Sequence, residues 1–444
     1  MNSLISLKHI NKLAIPALIS GVSEPILSIT DTAIVGNISE NATESLAAVG
    51  IVGAFISMLI WVLGQTRSAI SSIVSQYVGA DQLDEVKSLP AQAIFIITSF
   101  SLIIIFLTFP FAEFIFKLYN ASGLILDFSV DYYRIRVFGF PFTLFTIAVF
   151  GAFRGLQNTY YPMIIALIGT FTNIILDVIL VYGVDGIIEP MNIEGAAYAS
   201  VSAQLVMAIL SAYYLLKKTV IPLKLHFPFN KEINRFILMI LNLFVRTLAL
   251  NVTLYFANAF STGYGKEYIA AYTIAINFWF LGAFIVDGYA SAGNILSGKL
   301  LGANRPDLLI QLSNTLIKYG IVVGITLATL GALLYNPLGT IFSNDPVVLQ
   351  QFYSVFWIIL AMQPFCALAF IFDGMFKGLG MMKYLRNVLL LSTFLVFVPI
   401  LFWLDSMNLK LYAVFIAFTA WIIARGIPLI LKFRSLFLPS GQNN

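Results

Sequence analysis

Twelve apolar stretches, each about twenty residues long or longer, leave this chain few ways to fold. A helix crossing roughly 30 Å of hydrocarbon needs about 20 mostly apolar residues. That ruler predicts spans at 13–35, 46–78, 89–117, 126–153, 159–183 and 193–216, then at 236–261, 268–298, 311–335, 348–376, 386–404 and 411–431. In lipid every backbone polar group must be satisfied internally, so only helices and closed barrels cross. A barrel strand alternates apolar and polar residues over about ten positions, and no such alternation is present here. The predicted fold class is therefore an all-α polytopic membrane protein with 12 transmembrane helices. Charge supports this, since only 10% of the 444 residues are charged and 59% are hydrophobic, against roughly 25% charged in soluble domains. Such a surface excludes a cytosolic enzyme, a secreted disulfide scaffold, a disordered chain and a nucleic-acid binder.

The basic residues set the orientation. With the N-terminus inside, the inner segments hold 16 of the 25 Lys and Arg residues, among them Lys8, Lys12, Lys217, Lys218, Lys224, Lys231 and Lys377. The outer segments hold 5: Lys117, Arg134, Arg136, Lys266 and Lys410. Cytoplasmic loops favour Lys and Arg, so both termini are expected in the cytoplasm. The apolar run after Lys8 and Lys12 carries Pro16, Glu24, Pro25 and Asp31, and we read it as a span rather than a cleaved signal peptide.

The two halves repeat. Leu46-Ala-Ala-Val-Gly50 matches Ile269-Ala-Ala-Tyr-Thr273, and Val78-Gly79-Ala80 matches Leu301-Gly302-Ala303. Pro141-Phe142 recurs as Pro364-Phe365, and Phe153-Arg154-Gly155 as Phe376-Lys377-Gly378, all at the same offset of 223 residues. Six spans per half is an even number, so the repeats are parallel, an arrangement found in one class of secondary transporter. The expected organisation is an N-terminal six-helix lobe (1–216), a cytoplasmic linker (217–235) and a C-terminal six-helix lobe (236–444). In such transporters the substrate path lies between the halves and rocking gives alternating access.

An ionisable group at membrane depth costs roughly 2.5–3.5 kcal/mol on insertion scales, so each needs a reason. Glu24 and Asp31 share a face of span 1, with Pro25 between them and Pro16 before them; a proline removes a backbone hydrogen bond and permits bending. Asn173 and Asp177 share a face of span 5 at i,i+4, and span 6 opens with Gly195-Ala196-Ala197 followed by Ser200 and Ser202. Asp31, Asn173, Asp177 and Ser200 could converge, and two carboxylates with amide and hydroxyl oxygens could ligate Na⁺ or share a proton. The bland reading makes Asn173 and Ser200 interhelical glue and pairs each Asp with a cation, but spans 1, 5 and 6 of this half offer no basic residue. The second half lacks those acids: position 254 is Leu and position 400 is Ile. It has its own polar set: Arg246 with Asn242 on span 7, Asp287, Ser291 and Asn294 on span 8, and Asp373 on span 10. Arg246 could pair structurally with Asp287 or Asp373, or those acids could face a cavity and meet a cationic substrate. Arg67, near the inner part of span 2, is another candidate partner or part of an inner gate.

Pro16, Asp31-Thr-Ala-Ile-Val-Gly36, Leu46-Ala-Ala-Val-Gly50, Arg154-Gly155, the Asn173/Asp177 pair and Gly195-Ala-Ala together resemble the multidrug and toxic compound extrusion (MATE) family. Arg246-Thr247-Leu248, Asp287-Gly288 and Asp373-Gly374 look like its DinF-like branch. The resemblance spans about 10–430. It implies two lobes in a V and efflux of small organic compounds in exchange for H⁺ or Na⁺, with Asp31, Asn173, Asp177 and a span-6 hydroxyl as the cation site. The family commonly has Thr at that hydroxyl position, and Ser200 is the nearest match. The acidic pair of another branch in spans 7 and 10 is not reproduced, because span 7 carries Arg246.

The expected function is a cation-coupled efflux antiporter in the cell membrane, acting as a monomer on a small organic substrate, with the bilayer as its surroundings and no nucleic acid as partner. No Walker motif, Gly-rich phosphate loop or metal-ligating His/Cys set is visible, so we expect no cofactor besides the coupling ion. The alternative within transport is a lipid-linked oligosaccharide flippase of the same superfamily, for which only Arg67 and Arg246 would supply a cationic cavity. A membrane-embedded transferase would need a polar catalytic loop, and neither His9 nor His226 stands near an acid cluster.

Overall fold

The computed structural model describes residues 5–38, 41–343 and 345–438, and the side chain of Glu24 lies outside that description. Among the described residues, 12 helices are long and apolar enough to cross a membrane. They are α1 (Leu7–Val35), α2 (Ala42–Gly79), α3 (Leu83–Thr108), α4 (Leu124–Gly155), α5 (Tyr160–Tyr182), α6 (Asn192–Lys218), α7 (Ile233–Gly263), α8 (Lys266–Gly302), α9 (Pro306–Leu333), α10 (Pro346–Gly378), α11 (Met382–Ser406) and α12 (Leu411–Phe437). Four are interrupted, α3 among them, which opens with a 3-10 turn over Leu83–Glu85 and becomes α-helical only from Leu89. α2 breaks at Gly64-Gln65, α4 tightens to a 3-10 turn over Val137–Gly139, and α11 widens to a π-helix over Ser392–Phe397. No strand forms among the described residues, where one isolated bridge joins Val184 to Ile188.

The helices divide into two compact units. The first comprises Ile19–Tyr77 and Gln82–Ile240. Here α5 runs along α6, α3 along α4, and α4 touches both α2 and α6. Small residues set the α5–α6 distance, for a Cβ on Gly195 would lie 2.6 Å from the Leu180 carbonyl oxygen, and Ala196, Ala197 and Ala199 are fully buried. Lipid supplies no hydrophobic force between helices, so such close backbone packing carries the association. The connector before α7 is tied onto α3: Asn230 donates its backbone N–H to Gln92 Oε1 at 2.8 Å and its side-chain amide to the Glu85 carbonyl at 2.7 Å.

The second unit holds the described residues up to Leu18, Val78–Asp81 and those from Leu241 on. At its centre α10 packs against α8, α9 and α12. Asp345 caps α10, accepting from Val347 N at 2.8 Å, and Pro346 occupies the first turn, where its missing N–H costs nothing. Gly374 and Gly378 form a small-xxx-small ridge, and a Cβ on either would lie 2.1 Å from Ala290 O or 2.2 Å from Asn294 O of α8. Rings fill the rest, with Phe352, Phe356, Phe397, Phe415 and Trp421 fully buried.

This division differs from the sequence boundaries at the start of α1, at Val78–Asp81, which fall in the second unit, and at residues 217–240, which fall in the first. Ile10, Leu13 and Ala14 share one apolar face and pack among Val286, Ile295, Leu296 and Phe372, so the start of α1 belongs to the second unit. The 217–235 linker falls inside the first unit. α1 itself is helical without a break from Leu7 to Val35, through both Pro16 and Pro25, and it changes unit between those two prolines, at Leu18/Ile19.

Candidate functional site

In the first unit three helices deliver their polar residues to one place. Asp31 comes from the last turns of α1, Asn173 and Asp177 from one face of α5, and Ser200 from the third turn of α6; all four are at most 4% exposed. Ser200 donates its hydroxyl to Asp31 Oδ2 at 2.8 Å, and Asn173 Nδ2 donates to Ser200 Oγ at 3.3 Å. At the helix ends, Tyr182 OH donates to the Ile34 carbonyl at 2.9 Å, fastening α5 to α1.

The donors then run out. Asp31 Oδ1, Asn173 Oδ1 and both oxygens of Asp177 are buried without a hydrogen-bond partner, while the Asp177 carboxyl neighbours that of Asp31 within hydrogen-bonding reach. Buried polar atoms are normally satisfied, and leaving a charged one unpaired costs more than a lost hydrogen bond. Four oxygens meeting without hydrogens make a chemistry that accepts a proton between two carboxyls or a small hard cation among oxygens.

Sequence reasoning missed two members of this site. Arg136, assigned to an outer segment, ends the first helical stretch of α4 (Leu124–Arg136) and is 9% exposed. Its charge acts on Asp177, and it donates to Gln204 Oε1 of α6 at 2.9 Å. Tyr132, one turn earlier, is 2% exposed and lies in the fields of Asp31, Asp177 and Arg136. A basic residue thus reaches the acids from α4, although α1, α5 and α6 contain none near them. Gly139 makes room for it, since a Cβ there would fall 1.8 Å from Gln204 Oε1. The Tyr132/Arg136 i,i+4 spacing, which repeats that of Asn173/Asp177, was the available signal.

The second-unit set arranges itself differently. Arg246 Nη2 meets Asp373 Oδ1 at 2.5 Å, and Asp373 also contacts Lys377 Nζ at 3.0 Å and Arg425 Nη2 at 3.5 Å. Arg246 therefore pairs with Asp373, while Asp287 is half-buried and acts on Lys377 through its charge. Lys377, assigned by sequence to an inner loop, belongs to the last turn of α10. Asn294 and Ser291 are buried on α8, Asn294 with its carbonyl under Gly378. Arg67 opens the second part of α2, where Gly151 of α4 packs against its backbone.

The family model described as MatE matches residues 16–179 and 243–403. Protein DETOXIFICATION 45, chloroplastic, of Arabidopsis thaliana is 30% identical over 56% of this chain and 43% of its own length, so the chain spans less than half of that relative. DNA damage-inducible protein F of Escherichia coli (strain K12) is 23% identical over 95% of this chain and 91% of its own. Among solved structures, a crystal structure of MATE in the bent conformation superposes with a TM-score of 0.89 at 20% identity, covering 96% of this chain and 94% of that one. This last likeness concerns the fold alone.

Proposed function

The chain belongs to the MatE family, and on that footing we propose that it is a secondary active efflux transporter, exporting small organic compounds from the cell in exchange for H⁺ or Na⁺. The observation that carries the reading is the Asp31/Asp177 pair, three of whose four buried carboxylate oxygens lack donors, as does Asn173 Oδ1 beside them. Structural ion pairs satisfy their oxygens, whereas a coupling site must be left one proton or one cation short in part of its cycle. Asp31 and Asp177 hold that cation, Ser200 and Asn173 orient Asp31, and Arg136 limits the negative charge the site accumulates.

In this reading the protein is a monomer in the cell membrane with both termini in the cytoplasm. A cation arriving from outside neutralises the acid pair and changes how α1 bends at Pro16 or Pro25, which closes the substrate path outward and releases substrate. One charge crossing 100 mV supplies roughly 2.3 kcal/mol, enough to bias such a cycle. The experiment is substrate export from energised vesicles with an imposed pH or Na⁺ gradient, with the ion that drives it identified by collapsing each gradient separately. Export that persists when both gradients are collapsed, or that requires ATP, contradicts the proposal.

A further inference from the structure

The connector that leaves α6 is both basic and apolar. From Lys217 to Lys231 it contains four lysines, six aliphatic or phenylalanine side chains and no acid. Ile221 is buried, but Val220 and Phe227 are each 69% exposed and Phe229 is 44% exposed, with the two phenylalanine rings edge to face at 5.2 Å. Exposed apolar groups rimmed by charge mark a surface that meets a partner. No acid stands between Glu194 and Glu232 in the sequence. Glu232 is held by Arg235 at 3.1 Å, and Lys231 pairs with Glu85. Lys217, Lys218 and Lys224 are exposed and carry the charge that remains.

Two ties set the depth at which these groups stand. Gln92, in the first turn of the α-helical part of α3 (Leu89–Thr108), donates Nε2 to the His226 carbonyl at 2.8 Å and accepts from Asn230 N through Oε1 at 2.8 Å. Residues 226–230 are thereby pinned beside α3 within one turn of Phe95, which is exposed on that membrane-spanning helix. At the other end the Lys217 ammonium lies over the ring of exposed Tyr213 at 5.0 Å, and tyrosines gather at membrane–water interfaces. The connector therefore runs along the interface from the end of α6 to the start of α3. At that depth apolar side chains bury into the boundary between headgroups and acyl chains, and lysines beside a membrane helix attract anionic lipids.

We propose that this connector is a binding surface for anionic phospholipid. Val220, Phe227 and Phe229 enter the boundary between headgroups and acyl chains, and Lys217, Lys218 and Lys224 meet the lipid phosphates. The surface lies wholly within the first unit and does not depend on the cation chemistry of Asp31 and Asp177. In the orientation read above it faces the cytoplasmic leaflet, but the recognition of lipid is the same for either leaflet. A soluble partner protein would have to displace headgroups to reach rings that stand beside Gln92, so the bilayer itself is the occupant that fits.

The test uses the full-length protein in nanodiscs of phosphatidylcholine and phosphatidylglycerol. With Cys366→Ser as background, a bimane label on Phe227→Cys should be quenched by lipids brominated on their acyl chains and spared by aqueous iodide. The same label on Gln82→Cys, at the exposed α2–α3 turn, should show the reverse. Phe229→Cys repeats the measurement where Phe227→Cys does not fold. Spin-labelled lipids then read the preference for phosphatidylglycerol over phosphatidylcholine, which should fall by at least about fivefold in Lys217→Gln/Lys218→Gln/Lys224→Gln, the factor that a single lysine at the surface provides. Quenching at 227 by iodide instead of bromine, which is the pattern of a surface left open for a soluble partner, overturns the proposal. So does quenching by neither, or a lipid preference that the triple variant retains.

Discussion

Ser200 donates its hydroxyl to Asp31 Oδ2 at 2.8 Å, joining α6 to the last turns of α1 across 169 residues of sequence. The bond satisfies one Asp31 oxygen and leaves the other without a donor. A hydrogen bond to a charged group is worth about 1.5–3 kcal/mol, roughly a tenfold or greater change in equilibrium. Ser200→Ala should therefore retain the fold and shift the half-maximal pH or Na⁺ concentration for export by about tenfold, while Ser200→Thr should behave as wild type. Dose–response curves in vesicles read both.

Arg136 supplies a positive charge that acts on Asp177. Without it the two acids repel more strongly and hold a proton or Na⁺ more tightly. In Arg136→Gln the pH of half-maximal export should move to the alkaline side if H⁺ is the coupling ion, or the Na⁺ requirement should fall if Na⁺ is. A profile that stays in place while maximal export falls would reduce Arg136 to a packing residue.

Gly374 allows α10 to lie on α8, where a Cβ would fall 2.1 Å from Ala290 O. Both partners are helix backbone, so neither yields cheaply, and overpacking costs about 1–3 kcal/mol. Gly374→Ala should lower the thermal midpoint in detergent by several degrees. Gly53→Ala, with nothing within 4 Å of its Cβ, should leave the midpoint unchanged or raise it, since Ala is favoured over Gly in a helix by about 1 kcal/mol.

Tyr264, between α7 and α8, donates to Asp405 Oδ1 at 2.6 Å. Burial, then the bond to Asp405 and its charge, raise the phenol above its ordinary value. A group raised on folding adds stability that is complete below its unfolded value, about 10 for tyrosine, and is lost as pH rises through the folded one. Tyr264→Phe should thus be less stable than wild type at pH 8, by about 1 kcal/mol, with the gap closing at strongly alkaline pH. Thermal melts across pH check the sign.

How much of this could be read from the sequence depends on the element. Helix positions followed from length and hydropathy because lipid enforces both. Asn173 and Asp177 were found together because i,i+4 places them on one face, and Gly195-Ala196-Ala197 marked a close helix contact that α5 and α6 make. Arg136 and Lys377 escaped because they stand near helix ends, where a charge reads as solvent-exposed; burial there is decided by neighbours such as Gln204 and Asp373. The choice of Asp373 over Asp287 by Arg246 depends on how α7, α8 and α10 cross, which spacing along one helix cannot specify.

Whether Asp31 and Asp177 carry the coupling cation is tested by substrate-induced H⁺ or Na⁺ flux in proteoliposomes containing wild type, Asp31→Asn or Asp177→Asn. Substrate addition should drive counterflow of one of these ions in wild type and none in either variant, while substrate binding at equilibrium persists. Counterflow of normal size in either variant, or substrate export by wild type with no accompanying movement of H⁺ or Na⁺, would contradict that role.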